Sequence, residues 1–463
     1  MERMNRPRLH LPLSRGGLAA VAACIGLASM LVTGAGARQD IAGERLTAQG
    51  GMCIPNETDG SCLPTAPESA LVDRAAPTFS DPTVITNPLF PISKLHSVVM
   101  LGRVDRLPFR TEVTLLPETK TIEWNGASIE VLVSQYTAYL DGRLHEVALD
   151  WYAQADDGSV WYFGEDVFNY ENGVVADTEG TWLAGKDGPP AMIMPADPRV
   201  GNVYRPENIP GAVFEEVTVK AIGETVNGPQ GPIAGAIVTE ELHQDGTYEE
   251  KVFAPGYGEF LTGSDGDLET VAIASPIDTL SGPLAAELVT VADGAATIFD
   301  AALSEDWDTA ASALDGIRTA WAAHQPGDEL TAIDAQLSNA LVYLVAAVDA
   351  HQPAEARQAA IDVERASLDL QLHYRPAAEI DRARFDLQAR QLLVDAANDD
   401  AAAVAGDVAT LEWMWDRVAH TVAPTAAEPF ATTLDDLRTA ADSEDLSGAA
   451  TAAAELRGLL AAE

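Results

Sequence analysis

Asp150, Tyr152, Trp161, Phe163 and Glu165 place two carboxylates and three aromatic rings in one short stretch of the chain. Aromatic bodies beside acids on a curved sheet suit a concave site for a small apolar or cationic ligand, and packing at a domain interface accounts for the same residues without any ligand. Asp150, Glu165, Asp166, Glu240 and Glu241 also supply candidates for the acid and base pair of a hydrolase, as paired carboxylates do in glycosidases. That chemistry has little else behind it. The chain carries 71 Asp and Glu residues, so acids meet by chance, and there is no HExxH, no GxSxG and no nucleophile beside a base.

His324, His373 and His420 recur near the ends of helical segments, each followed within a few residues by proline, and are weak candidates for one metal ion. A simpler reading is that each sits in a last helical turn, where an imidazole interacts favourably with the negative end of the helix dipole. Stacked repeats also hold equivalent positions about 10 Å apart, too far for shared coordination. Ser264-Asp265-Gly266-Asp267 resembles a calcium loop, lacks its further ligands, and reads better as a β-turn. No cofactor is expected. Trp307, Trp321, Trp413 and Trp415 follow apolar stripes and read as packing.

The elements that must position the first cluster are strands. Asp141-Gly142, Asp157-Gly158, Asn172-Gly173 and Asp245-Gly246 are tight-turn pairs, because Gly and Asn accept the positive φ a hairpin needs. Strands are expected at 94–104, 110–116, 119–124, 127–139, 143–154, 159–170, 174–184, 212–222, 233–243, 247–255 and 268–274, with the Pro-rich 187–211 as a long connection. Short turns force antiparallel neighbours, hence a meander. On 145–154 one face carries Val147, Leu149 and Trp151 and the other Glu146, Ala148, Asp150 and Tyr152. Both faces therefore hold aromatics, and leaving one set in water would cost about 2 kcal/mol per large side chain. The sheet must curl into a barrel or half-barrel, or be covered, and the domain that follows is an available cover.

The strings DWYAQADDGSVWYFGED (from Asp150), GTWLAGKDGPP (from Gly180), MPADPRVGNVYRPE (from Met194) and VFAPGYGE (from Val252) resemble a family of uncharacterised bacterial secreted proteins. The resemblance covers roughly residues 85–275 and implies an exported β-rich domain with no assigned activity and no site residues to carry over.

Texture changes across Ser275-Pro276 and Ser281-Gly282-Pro283. From there alanine, leucine and acids recur at helical spacing, and polar turns at Ser304–Asp306, His351–Pro353, Asn398–Asp400 and Asp442–Glu444 repeat at a near-constant interval. Eight helices in four hairpins are expected, with alanine-rich faces that favour tight bundles and a unit that folds without the β domain.

Basic Arg3, Arg6, Arg8 and Arg15, an apolar run and Ala35-Gly36-Ala37 have the order of an export signal, with cleavage after Ala37. Val21-Ala22-Ala23-Cys24 also fits a lipobox, so a lipidated Cys24 or an uncleaved anchor stays open. Without Cys24, Cys53 and Cys62 form an even pair across a polar turn and favour a local disulfide. A net charge of −43 with five lysines repels phosphates and excludes nucleic acid as a partner.

The sequence thus describes an α+β chain of two domains. Residues 1–37 are an export signal and 38–85 an irregular leader with the disulfide as its sole constraint. An antiparallel β-meander or half-barrel spans 86–275, and an all-α helical-hairpin repeat bundle spans 283–463. The expected role is an exported, non-enzymatic binding or scaffold protein for a small molecule or an envelope protein; the alternative is a cell-envelope hydrolase using β-domain carboxylates.

Overall fold

The computed structural model describes residues 53–264, 266–324 and 331–462. The signal, Cys24 and the start of the leader lie outside them. Among the described residues, fourteen strands form one antiparallel sheet. They are β1 (Ser97–Val104), β2 (Leu107–Trp124), β3 (Ala127–Leu140), β4 (Arg143–Gln154), β5 (Val160–Glu171), β6 (Val174–Asp177), β7 (Trp182–Leu183), β8 (Ala191–Met194), β9 (Val203–Ile209), β10 (Val213–Gly228), β11 (Gly231–His243), β12 (Tyr248–Ala254), β13 (Gly258–Ser264) and β14 (Asp267–Ser275).

The strand order is β6-β5-β4-β3-β2-β1-β14-β13-β12-β11-β10-β9, with β7 and β8 also paired to β5. From β1 to β6 and from β9 to β14 consecutive strands are neighbours, as short turns require. Asn125-Gly126, Asp141-Gly142 and Asn172-Gly173 all have positive φ at both positions, the backbone of a type I′ turn. The first strand pairs with the last, Ser97 opposite Ser275, so the two edges of the sheet come from the middle of the chain. Those edges meet: Trp182 Nε1 on β7 donates to Glu207 Oε1 on β9 at 3.1 Å, and Trp182 is itself the cross-strand partner of Glu165 on β5. The sheet is therefore curled into a barrel. β8 and β9 lie inside the segment expected to be one long connection, and the expected strands 110–116 and 119–124 are a single strand, β2, with a register shift between Leu115 and Thr119.

The leader is irregular but far from free. Cys53 and Cys62 are disulfide-bonded, and Ile54 and Leu63 pack with Phe214 and Leu242 on the sheet. Farther along, Asp156 accepts from Ser80 N and Thr78 Oγ1, Asn87 Nδ2 donates to Pro195 O, and Ile85 is fully buried. The expectation of a single constraint fails because this segment covers outward-facing aromatic rings, which removes apolar area from water.

Eight helices follow among the described residues: α1 (Ala286–Leu303), α2 (Trp307–Ala323), α3 (Ala332–Asp349), α4 (Pro353–Gln371), α5 (Ala377–Ala397), α6 (Ala401–Val418), α7 (Pro424–Asp442) and α8 (Leu446–Ala462). Each hairpin turns on one residue with positive φ: Glu305, His351, Asp399 and Glu444. Asp306 and Asp400 then cap α2 and α6 by accepting from Thr309 N and Ala403 N. The hairpins do not stack in an open row. α1 packs on α2 and α4, and α3 on α4; α5 packs on α6 and α8, and α7 on α6 and α8. Each set of four surrounds an apolar core, but α4 also packs on α5, and the first core continues through Ala377, Ile380 and Leu387 of α5 and onto Val99 and Ile273 of the sheet.

The helices clamp the outer face of β1–β5. Glu112 on β2 receives Arg417 Nη1 of α6 at 2.7 Å, and Arg110 pairs with Asp369 of α4 at 2.7 Å. Arg384 of α5 joins Asp369 at 2.7 Å. Hence the helical half, expected to fold by itself, holds guanidinium groups at 3% (Arg384) and 1% (Arg417) side-chain exposure whose acidic partner Glu112 belongs to the barrel. Gly173, at the β5–β6 turn, touches α6 so closely that a Cβ there would meet Ala402 O at 2.1 Å.

Candidate functional site

Side-chain parity assigns the inner wall of the barrel. Ser134 on β3 stands opposite Asp150 on β4, and Asp150 opposite Glu165 on β5; Tyr152 pairs with Tyr162. A register shift separates those last two pairs. Its cause is Gly164, whose φ of +114° and whose missing side chain admit Trp182 O, which a Cβ would approach to 2.2 Å. One extra residue there inverts the alternation. Phe163 points outward, and Glu165 points inward with Tyr162.

The five residues grouped from sequence therefore divide. Asp150, Tyr152 and Glu165 lie inside the barrel. Trp161 and Phe163 lie outside: Phe163 packs edge-on against Phe79 of the leader at 5.3 Å, and Trp161 Nε1 donates to Ser159 Oγ at 2.8 Å. The helices expected to cover this face cover another part of it, where Phe168 meets Trp413 at 4.9 Å.

Inside, Tyr162 donates from its hydroxyl to Asp150 Oδ1 at 3.0 Å and stacks on Tyr152 at 4.9 Å. Burial pushes the Asp150 carboxyl well above the ordinary range, and nearby Glu146 and Glu207 add to the effect against the pull of Tyr162. Glu165 is raised well above its ordinary value, first by burial and then by the charge and hydrogen bond of Glu207. Glu146 is pushed up to about 8, mainly by burial. Burial thus favours the protonated form of all three acids, and a protonated carboxyl donates as well as accepts. Glu165 and Asp150 are cross-strand neighbours, yet Glu165 is fully buried, so they do not open together onto a solvent-filled cleft as an acid–base pair needs.

Asp150 and Ser134 instead form the polar floor of a cavity with about 560 Å³ of empty space, counting the part open to solvent. Its walls are apolar: Phe90, Leu95, Val98, Met100, Val113 and Tyr152 line it, with Tyr257 and Glu259 on another side. Phe90 comes from the segment before β1 and meets Tyr152 edge-on at 4.9 Å. The Ser134 hydroxyl oxygen is buried without a hydrogen-bond partner.

A second polar group occupies β10–β12, where parity points Glu215, Glu241, His243, Glu249 and Lys251 inward. Lys251 Nζ lies 2.6 Å from Glu241 Oε2, and His243 Nδ1 lies 3.2 Å from Glu215 Oε1. Burial opposes a charged Lys251, but Glu241, Glu259, Glu249 and Glu215 outweigh it and hold the ammonium charged. Glu240, by contrast, is on the outer face and pairs with Lys220, and Asp166 is half exposed beside Lys120. Lys251 was the legible signal here, one of five lysines in so acidic a chain, directly after two acids in the sequence.

The three helical histidines stay apart in their bonding. His324 stacks on Trp321, His373 Nδ1 contacts Asp278 O at 2.7 Å, and His420 is exposed after α6. Ser264 pairs with Asp267 across the β13–β14 turn, and Asp267 accepts from Asp105 N; Asp265 lies outside the described residues. No helix among the described residues is long and apolar enough to cross a membrane. The chain matches no protein-family model and no curated protein.

Proposed function

We propose that this protein is an exported binding protein whose barrel holds one small, mainly apolar molecule with a hydroxyl, carbonyl or amine head. The carrying observation is the buried Ser134 hydroxyl without a partner, beside the Asp150 carboxyl at the floor of an apolar cavity. A buried polar atom left unbonded costs about 1–3 kcal/mol, and a ligand head would remove that penalty. Burial favours the protonated form of Asp150, which can both donate to and accept from such a head. The apolar wall supplies the affinity, since burying ligand surface contributes about 25 cal/mol per Å². Export is supported by the order of basic, apolar and small residues at the N-terminus and by the Cys53–Cys62 bond, which suits an oxidising compartment. The resemblance to secreted bacterial proteins points the same way.

The test is native mass spectrometry of the full chain together with titration of a fluorescent long-chain alcohol. Saturable binding at one site, weakened in both Ser134→Ala and Asp150→Asn, is the expected result. Absence of any saturable binding, or binding that neither variant alters, overturns the reading.

A further inference from the structure

We propose that Glu241, His243 and Glu249 form a site for one first-row divalent cation of the zinc or manganese class. One nitrogen and two carboxylate oxygens from these residues lie within 4.8 Å of one another, the sole such group among the described residues. His243 Nε2 and Glu249 Oε2 are 3.8 Å apart. Donors that share an ion at about 2.0–2.2 Å stand roughly 3.3–4 Å apart, so only small side-chain rotations separate this arrangement from coordination.

Two further observations point to a ligand here. Glu249 Oε2 is buried and has no hydrogen-bond partner. His243 is also oriented as a ligand would be: Nδ1 faces Glu215 Oε1 at 3.2 Å, which leaves Nε2 turned toward Glu249. A carboxylate on the second ring nitrogen fixes the tautomer and raises the basicity of the first, as around many metal-bound histidines. Mixed imidazole and carboxylate donors select first-row ions over calcium or magnesium. The His243 side chain is 19% exposed, so the group can be reached from solvent.

Lys251 occupies part of this space, with Nζ 2.6 Å from Glu241 Oε2 and 3.7 Å from Glu249 Oε2. It is the resident counter-charge and competes with an incoming ion for both carboxylates. The cation site stands apart from the cavity along the barrel wall: Glu249 is near the start of β12 (Tyr248–Ala254), whereas the Tyr257–Gly258 turn beyond the end of that strand lines the cavity, and Glu259 lies between the two groups.

The experiment is equilibrium dialysis of the full chain against Zn²⁺ and Mn²⁺, with melting temperature followed in parallel. One ion per chain and a raised melting temperature are expected. Glu249→Gln keeps the shape of the side chain and should abolish the stoichiometric ion while the protein stays folded; His243→Ala should do the same. Glu215→Gln should weaken binding by about 10–100-fold, and Lys251→Met should tighten it. No binding by the wild type, or equal binding by wild type, Glu249→Gln and His243→Ala, overturns the assignment.

Discussion

Glu112 and Arg417 stand 305 residues apart in the chain and meet at 2.7 Å, both buried between barrel and helices. The same guanidinium also donates to Gln135 and Thr137, so one α6 side chain is spent entirely on the sheet. Burial alone would raise Glu112, but Arg384, Arg110 and Arg417 hold it well below its ordinary value.

Removing one partner from such a pair leaves the other charge buried alone. Glu112→Ala should lower unfolding free energy by about 3–5 kcal/mol. Lys220→Ala, which breaks a half-exposed pair with Glu240, should change it by no more than about 1 kcal/mol. Urea unfolding of both variants tests the contrast, and equal losses would contradict it.

Stability should fall as pH rises through neutrality. Glu146 and Glu269 are each pushed up to about 8, primarily by burial; Asp177 faces the first, and Thr111, Glu259 and Glu249 face the second. Below the unfolded value of about 4.3 both states hold these protons, so the groups add no pH dependence. Between there and about 8 the unfolded chain ionises first, which favours unfolding more with each step. Chemical unfolding at intervals from about pH 5 to pH 8 should show the decline, and Glu146→Gln with Glu269→Gln should flatten it. An unchanged slope in the double variant would rule out this origin.

Tyr152 and Trp161 should separate in their effects, because they lie on opposite faces of the barrel wall. Tyr152→Ala should abolish binding of the fluorescent alcohol. Trp161→Ala should cost about 3–5 kcal/mol of stability and leave binding in the remaining folded protein intact. Loss of binding in both, with both proteins folded, would mean that the outer face takes part in the site.

Loss of the disulfide should act locally. Its loop touches the sheet through Ile54, Leu63, Phe214 and Leu242, away from the larger cores. Peptide mapping without reduction should recover Cys53 linked to Cys62. In Cys53→Ser/Cys62→Ser, amide exchange should rise in 53–63 and at His243–Asp245 while the main melting transition moves little. A large drop of that transition would show the loop to be part of the global fold.

Much of this architecture can be read from residue order. Asn172-Gly173 and Asp141-Gly142 announce their hairpins, and the hairpin turns at Glu305, His351, Asp399 and Glu444 fall within or beside the expected polar turns. Alternation on β4 already separates Asp150 and Tyr152 from Trp151. The site itself was less legible. Strict alternation along β5 puts Glu165 with Trp161 and Phe163, and only the bulge at Gly164, held by contact with Trp182, reverses it. Glu207 sits in a stretch whose prolines mask a strand, and Ser134 became notable only when cross-strand pairing set it beside Asp150. The Glu215–His243 contact joins two strands through a register that no local pattern encodes.

Because Ser97 is paired with Ser275, the chain enters and leaves the barrel on adjacent strands, about 4.8 Å apart. Such a domain behaves as a cassette. It can be spliced into a surface loop of a host protein without stretching that loop, and its original ends can be joined while new ones are opened at an exposed turn such as Asn125-Gly126. In molecular engineering the barrel is thus transplantable in outline, and the difficulty of moving it lies on the wall that the helices grip and on the rings that the leader covers.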